Sequence, residues 1–241
     1  NTARFLLANL NGFNPETDQV AFDDMVELDK WAVTRAASIQ KEIVQAYEKY
    51  DLLVVTQKMM QFCSIEMGSF YLDIIKDRLY VEKADGHKRR SAQTTCWHIL
   101  DTLTRLMAPI LSFTAEQLSD NYQKDKTESI HLQQFNALAE FALPEEKISE
   151  QEQLWAVLKQ MRSAILKAIE QLRETGVIKH SLEASVSMYL DQDKLGVDIL
   201  DDFKKMLHQK NQTLEDFFRE FLIVSQFNIV DSKEHVSQSN Y

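Results

Sequence analysis

"LDKWAVTRAASIQKEIVQAYEKY", Leu28 to Tyr50, contains neither glycine nor proline, and its apolar residues return every three or four positions, at Leu28, Ala32, Ala36, Ile39, Ile43, Tyr47 and Tyr50. That period places them on one face of an α-helix, so the stretch reads as one long helix ending near Asp51. Arg35 is a polar intruder in the stripe. Five glycines and three prolines in 241 residues leave few breakers, which permits long helices throughout. A mainly α fold follows.

Working outward, Thr2 to Leu10 reads as a short helix stopped by Asn11-Gly12, and 14–22 as a connecting loop. Leu52 to Tyr80 reads as two helices nearly end to end, bent about Gly68-Ser69. Asp85 is the expected N-cap of the next helix, which carries Cys96, Ile99, Leu100, Leu103 and Leu106 and stops at Pro109. Thr114 and Gln117 have capping-box spacing for a short helix through Tyr122. Gln123 to Ser129 is a charged loop, and "ALPEEKISEQEQ" reads as a linker into a long helix from Gln151 to Thr175, capped by Gly176. Its cations Lys159, Arg162, Lys167 and Arg173 either line a nucleic acid or are merely solvated, the second being preferred. Beyond Gly176 the period changes to two: Ala184, Val186, Met188 and Leu190 alternate with polar neighbours as a strand, with Leu222 to Val224 and Phe227 to Val230 as partners and two short helices between. The expected organisation is a helix bundle over 1–143, a linker and long connecting helix over 144–180, and a small α+β subdomain over 181–241.

Composition excludes several functions. Lys plus Arg number 27 against 37 Asp plus Glu, a net charge of −10, which argues against indiscriminate binding of nucleic acid or anionic membrane. No apolar run is long enough to span a bilayer. Cys63 and Cys96 lie in apolar helical patterns without CxxC spacing, which fits buried thiols in a reducing cytoplasm. The glycines build no phosphate-cradling loop, and the six histidines show no zinc spacing and a single Glu-x-x-His pair, Glu128 with His131, where a bundle di-metal site needs two. No catalytic residue and no metal ligand is therefore assigned. The chain opens in mid-helix without Met, and is read as a piece of something larger.

Against this acidic background stands a basic corner. Lys76, Arg78, Lys83, Lys88, Arg89 and Arg90 face only Asp77, Glu82 and Asp85, a local +3. Lys76 and Arg78 near a helix C-terminus complement its dipole, or hold a polyanion. Lys88, Arg89 and Arg90 fall in the first turns of the following helix, where each unpaired cation costs about 0.3 to 1 kcal/mol. Neighbouring carboxylates or an RNA phosphate would offset that. Tyr71, Tyr80 and Trp97 are either core or platforms for unstacked bases.

The segments "NTARFLLANLNGFNP", "LDKWAV", "AYEKYDL", "FCSIEMGSFYLDIIKDRLY", "RRSAQTT", "MAPILSFTAEQL" and "SLEASV" occur in this order and spacing. In this the chain resembles bacterial isoleucyl-tRNA synthetases, over the class I anticodon-binding helix bundle and the junction behind it. The resemblance implies a parent enzyme that joins isoleucine to its tRNA with ATP and Mg²⁺, and a region that grips the anticodon stem-loop of tRNA(Ile). The HIGH and KMSKS signatures and the paired CxxC motifs of the family's C-terminal zinc site are absent, so the piece itself is expected to be non-catalytic, without cofactor, cytoplasmic and monomeric, its other partner being the remainder of the synthetase chain. "NTAR" matches a first bundle helix whose Asn and Arg approach the anticodon, which implies Asn1 and Arg4 as RNA-binding residues; Lys88, Arg89 and Arg90 become a second contact, with Lys76 and Arg78 beside them. Trp31 and Pro109 are expected to be structural. The anticodon module of a valyl enzyme and a helical protein-binding scaffold are the competing readings.

Overall fold

The structure, a computed structural model, describes residues 1–123, 126–190, 197–210 and 212–230. Lys124 and Asp125 of the charged loop, residues 191–196, and 231–241 of the expected subdomain, His235 included, lie outside the described residues. The chain forms two compact units, Asn1–Ile148 and a second from Ser149 onward. The fold is mainly α, with one two-stranded sheet among the described residues.

In the first unit, α1 (Thr2–Ala8), α2 (Glu27–Glu48), α3 (Leu52–Gln61), α4 (Leu72–Ile74), α5 (Lys76–Val81), α6 (His87–Met107) and α7 (Ser112–Tyr122) form a bundle. Helix α2 packs against α3 and α6, burying Leu28, Trp31, Ala32, Ala36, Ile39 and Ile43, and Trp31 meets Phe70 edge-on at 5.0 Å. The expected stripe ends early, because Tyr50 is 89% exposed. It terminates α2 instead: Tyr50 sits at φ 55, its N–H bonds Tyr47 O at 3.0 Å, and the Asp51 N–H bonds Ala46 O at 2.9 Å. This is a Schellman ending with a tyrosine where glycine is favoured.

Arg35, the intruder, is explained by a turn of unusual geometry. Between α3 and α4, Phe62–Tyr71 is a π-helix rather than a bend at Gly68. The wider turns carry Glu66 inward, where its carboxylate accepts from Arg35 Nε at 2.7 Å and Nη2 at 3.0 Å. The helical path breaks at Ile75, between α4 and α5.

Helix α6 stops at Met107, two residues before Pro109, where the proline ring forbids continuation. Two caps differ from expectation. Gly86, not Asp85, occupies the N-cap of α6, without a side-chain bond. Thr114 lies inside α7, which starts at Ser112 after Leu111 and also lacks a side-chain cap.

Helix α8 (Glu145–Glu174) begins directly after Pro144, so the expected linker is already helical, with Glu145 and Glu146 in its dipole-favoured first turn. It ends as expected at Gly176, φ 76, whose N–H bonds Arg173 O at 3.0 Å.

In the second unit Trp155 of α8 packs against Phe217 and Phe221 of α10 (Leu214–Leu222), and Phe203 of α9 (Val197–Gln209) meets Phe217 edge-on at 4.8 Å. Arg162 is not solvated: it is 9% exposed and its Nε donates to Phe221 O at 2.9 Å. Strands β1 (Ser185–Tyr189) and β2 (Gln226–Val230) pair in parallel with Val186 opposite Phe227, and α9 and α10 supply the crossover that parallel strands need. Leu222 to Val224 is not a second partner strand; Leu222 closes α10, and Ile223 turns the chain at φ 57.

Candidate functional site

The basic corner is held by a buried carboxylate. Asp29 of α2 is fully buried, and three elements donate to it: Tyr71 Oη at 2.8 Å, Arg78 Nη1 of α5 at 3.0 Å and Ser91 Oγ of α6 at 2.6 Å. Ser91 Oγ in turn accepts from the Val26 amide at 3.0 Å. Burial of a carboxylate is tolerated only when its lone pairs are filled, and here a charge-assisted pair and two hydroxyls fill them. Burial, then the Asp29 charge, pushes the Tyr71 hydroxyl well above its ordinary pKa; the same two causes raise the Cys96 thiol. Both are locked neutral. Because α5 ends and α6 begins on one carboxylate, the turn from Glu82 to Gly86 is fixed between them.

This separates the expected RNA-binding residues. Arg78 is 7% exposed and engaged with Asp29, so it serves the core and is withdrawn from any outer surface. Arg90 is a clamp on the loop after α1: its guanidinium donates to Gly12 O and Gln93 Oε1, each at 3.0 Å, pairs with Asp18 at 3.2 Å, and lies over the Phe13 ring at 5.9 Å. Arg89 Nη1 donates to Glu82 O at 3.2 Å, which ties the turn, while its buried Nε has no partner among the described residues. Lys88 is half-buried beside it. Lys76 is exposed and pairs with Asp73 at 2.9 Å.

Lys83 and Arg4 differ from these. Both are exposed, and neither side chain has a hydrogen bond or ion pair among the described residues. Asn1 is exposed at the start of α1. Of the three aromatics, Tyr71 is core, Trp97 is half-buried, and Tyr80 is 63% exposed at the end of α5, next to Val81 at 82%. Helix α1 runs from Cys63, whose carbonyl accepts from Thr2 Oγ1 at 3.3 Å, to α6, where Gln93 Nε2 donates to Asn9 O at 2.9 Å. At 1.5 Å per residue, about 12 Å of helix separates Asn1 from Asn9. Helix α1, which carries Arg4, and α5, which leads into the basic turn, thus both pack against α6.

Other polar groups are structural. His98 of α6 stacks on Phe141 at 4.0 Å, and burial lowers its pKa to about 4 against a smaller opposing pull from Asp101. Among the described residues no group of three or more His, Cys, Asp or Glu could hold a metal, and no helix is long and apolar enough to cross a membrane. A shallow pocket of about 450 Å³ is lined by Arg105, Pro109, Ile130, His131 and Phe135, but Arg105 is already spent on Asp101 and Gln134 O. Sequence reasoning missed the Asp29 hub and the Glu66 partner of Arg35. The available signal was a charged residue on the buried face of each helix.

Comparison with known proteins agrees with this geometry. The family model for the anticodon-binding domain of tRNA ligase matches residues 29–188. An isoleucine–tRNA ligase of Pseudoalteromonas atlantica is 52% identical over 190 residues, covering 78% of this chain and 20% of its own length. Those of Shewanella woodyi and Photobacterium profundum are 45% and 44% identical over 232 and 230 residues, 96% and 93% of this chain and 23% of each relative. The chain therefore spans less than a quarter of these relatives' length. With a mainly helical fold and the family match over more than half its residues, this chain belongs to the anticodon-binding domain family of tRNA ligases.

Proposed function

We propose that this chain is the tRNA-recognition part of an isoleucine–tRNA ligase and grips the anticodon stem-loop of tRNA(Ile). Unpaired bases of the loop meet Arg4, whose planar fork bonds a base edge or phosphate, and Asn1 beside it; Tyr80 offers a face for stacking. Lys83, Lys88 and Lys76 hold the backbone, with Arg89 and Arg90 shaping the turn that presents them. The single observation that carries this reading is Arg4: an exposed guanidinium without a partner among the described residues, in a protein of net charge −10. The acidic remainder repels stray polyanions, so binding is local and specific. Joining isoleucine to tRNA with ATP and Mg²⁺, and a zinc site in a C-terminal tail, belong in this reading to other parts of the ligase, which works as a cytoplasmic monomer.

The test is fluorescence anisotropy of a labelled isoleucine anticodon stem-loop, with a valine stem-loop as competitor, at several salt concentrations. Preference for the first, weakening as salt rises, is expected. Arg4→Ala loses about 1 to 3 kcal/mol of binding with an unchanged melting temperature. Equal binding of both RNAs, or none at low salt, sinks the reading.

A further inference from the structure

We propose that Thr2 and Gly68 are positioning residues for Arg4, acting through the backbone carbonyl of Cys63; this rests on the recognition reading above. Helix α1 has only seven residues, and the side chain of Asn1 at its N-cap makes no capping bond. A helix that short does not hold itself in water. Its first turn is seated instead by the Thr2 hydroxyl on Cys63 O, a contact spanning 61 residues of sequence. Arg4 lies two residues further on, within the same turn.

The acceptor is fixed by the π-helix. In that geometry a carbonyl faces the residue five positions on, and the Ser69 hydroxyl follows the same spacing in donating to Ser64 O at 2.8 Å. For Cys63 the facing residue is Gly68. A Cβ on residue 68 would stand 3.1 Å from Cys63 O, so that oxygen would have to move by a few tenths of an ångström. On the inner side, the Arg35 fork on Glu66 holds the same segment to α2. The carbonyl therefore has a bare α-carbon before it and an ion pair behind it, and the first turn of α1 takes its place from it, while buried Leu6 and the Gln93 bond to Asn9 O seat the rest. Gly68 and Thr2 touch no RNA in this arrangement; they decide where α1 carries Arg4.

Two readouts on the 241-residue chain test this: hydrogen exchange of the α1 amides in the free protein, and anisotropy with the isoleucine anticodon stem-loop. Thr2→Val and Gly68→Ala are expected to speed exchange in α1 by about three- to tenfold, the scale of one hydrogen bond, while α2 and α6 stay protected. Each should weaken RNA binding by a similar factor, Thr2→Ser should restore both readouts, and in an Arg4→Ala background neither should cost more. Unchanged α1 exchange in Thr2→Val overturns the proposal whatever the RNA does, and that variant keeps the test open if Gly68→Ala fails to fold. Faster exchange whose RNA loss adds in full to that of Arg4→Ala also overturns it, leaving recognition by Arg4 intact. If Arg4→Ala itself binds as wild type, the recognition reading has failed and this inference falls with it.

Discussion

Arg78 and Ser91 meet on one oxygen: Asp29 Oδ2 accepts from Arg78 Nη1 at 3.0 Å and from Ser91 Oγ at 2.6 Å. A cation from α5 and a hydroxyl from α6 thereby fix the two helices that bracket the basic turn. Asp29→Ala would remove the buried carboxylate on which Tyr71, Arg78 and Ser91 converge, and a loss of about 3 to 5 kcal/mol is expected in urea denaturation. A loss below about 1 kcal/mol would show that water reaches Arg78 and that the hub is not closed.

His98 gives the stability a pH dependence of known sign. Its folded pKa, about 4, lies below the ordinary 6.5, so between those values the unfolded chain binds the proton and the folded one does not. The contribution is complete above pH 6.5 and is lost as pH falls toward 4, by up to about 3 kcal/mol. Denaturation of wild type and His98→Phe across pH 4 to 7.5 isolates it, since carboxylate titrations common to both proteins cancel. Parallel curves for the two would refute the assignment.

Tyr50 holds a left-handed backbone at the end of α2 with its ring in solvent. An L-residue there costs about 1 to 2 kcal/mol, of which glycine's greater freedom in the unfolded chain returns a part. Tyr50→Gly is therefore expected to stabilise the protein by about 0.5 to 1 kcal/mol, read as a higher melting temperature. A lower melting temperature would mean the ring makes a contact worth more than the strain.

Arg90 and Lys83 separate scaffold from contact. Arg90→Ala removes the ties to Gly12, Gln93 and Asp18, and should destabilise the chain by about 1 to 3 kcal/mol. Lys83→Ala should leave the melting temperature unchanged and lower the salt slope of stem-loop binding by about one. An unaltered slope would remove Lys83 from the interface.

Helices were legible in the sequence wherever an apolar period ran unbroken, as from Leu28 to Ile43, because burial of one face dictates that pattern. Their ends were legible in part: the end of α2 was placed near Asp51, one residue past its turn at Tyr50, and Gly176 announces its own, whereas Ile223 adopts the same left-handed backbone with no glycine to signal it. Buried ion pairs were harder still. Arg78 and Arg162 carry the same letter as a surface cation, and only the approach of Asp29 or of the Phe221 carbonyl, far along the chain, makes them core. The π-helix was invisible for a related reason: Gly68 reads as a breaker, while its use is to leave room before Cys63 O. Arg4, on the surface of a short terminal helix, was reached through resemblance alone.

The pairing of β1 with β2 has a consequence for the order of events during synthesis. Val186 meets Phe227, so the ladder closes a loop of about 40 residues, an entropic cost met before any strand hydrogen bond forms. Two strands alone do not hold in water, so α9 and α10 must condense first, and the ladder is the last element of its unit to zip. A ribosome that has released the long helix and β1 therefore leaves the β2-facing edge of β1 unpaired until Val230 has left the exit tunnel, and in that window the edge is open to wrong partners.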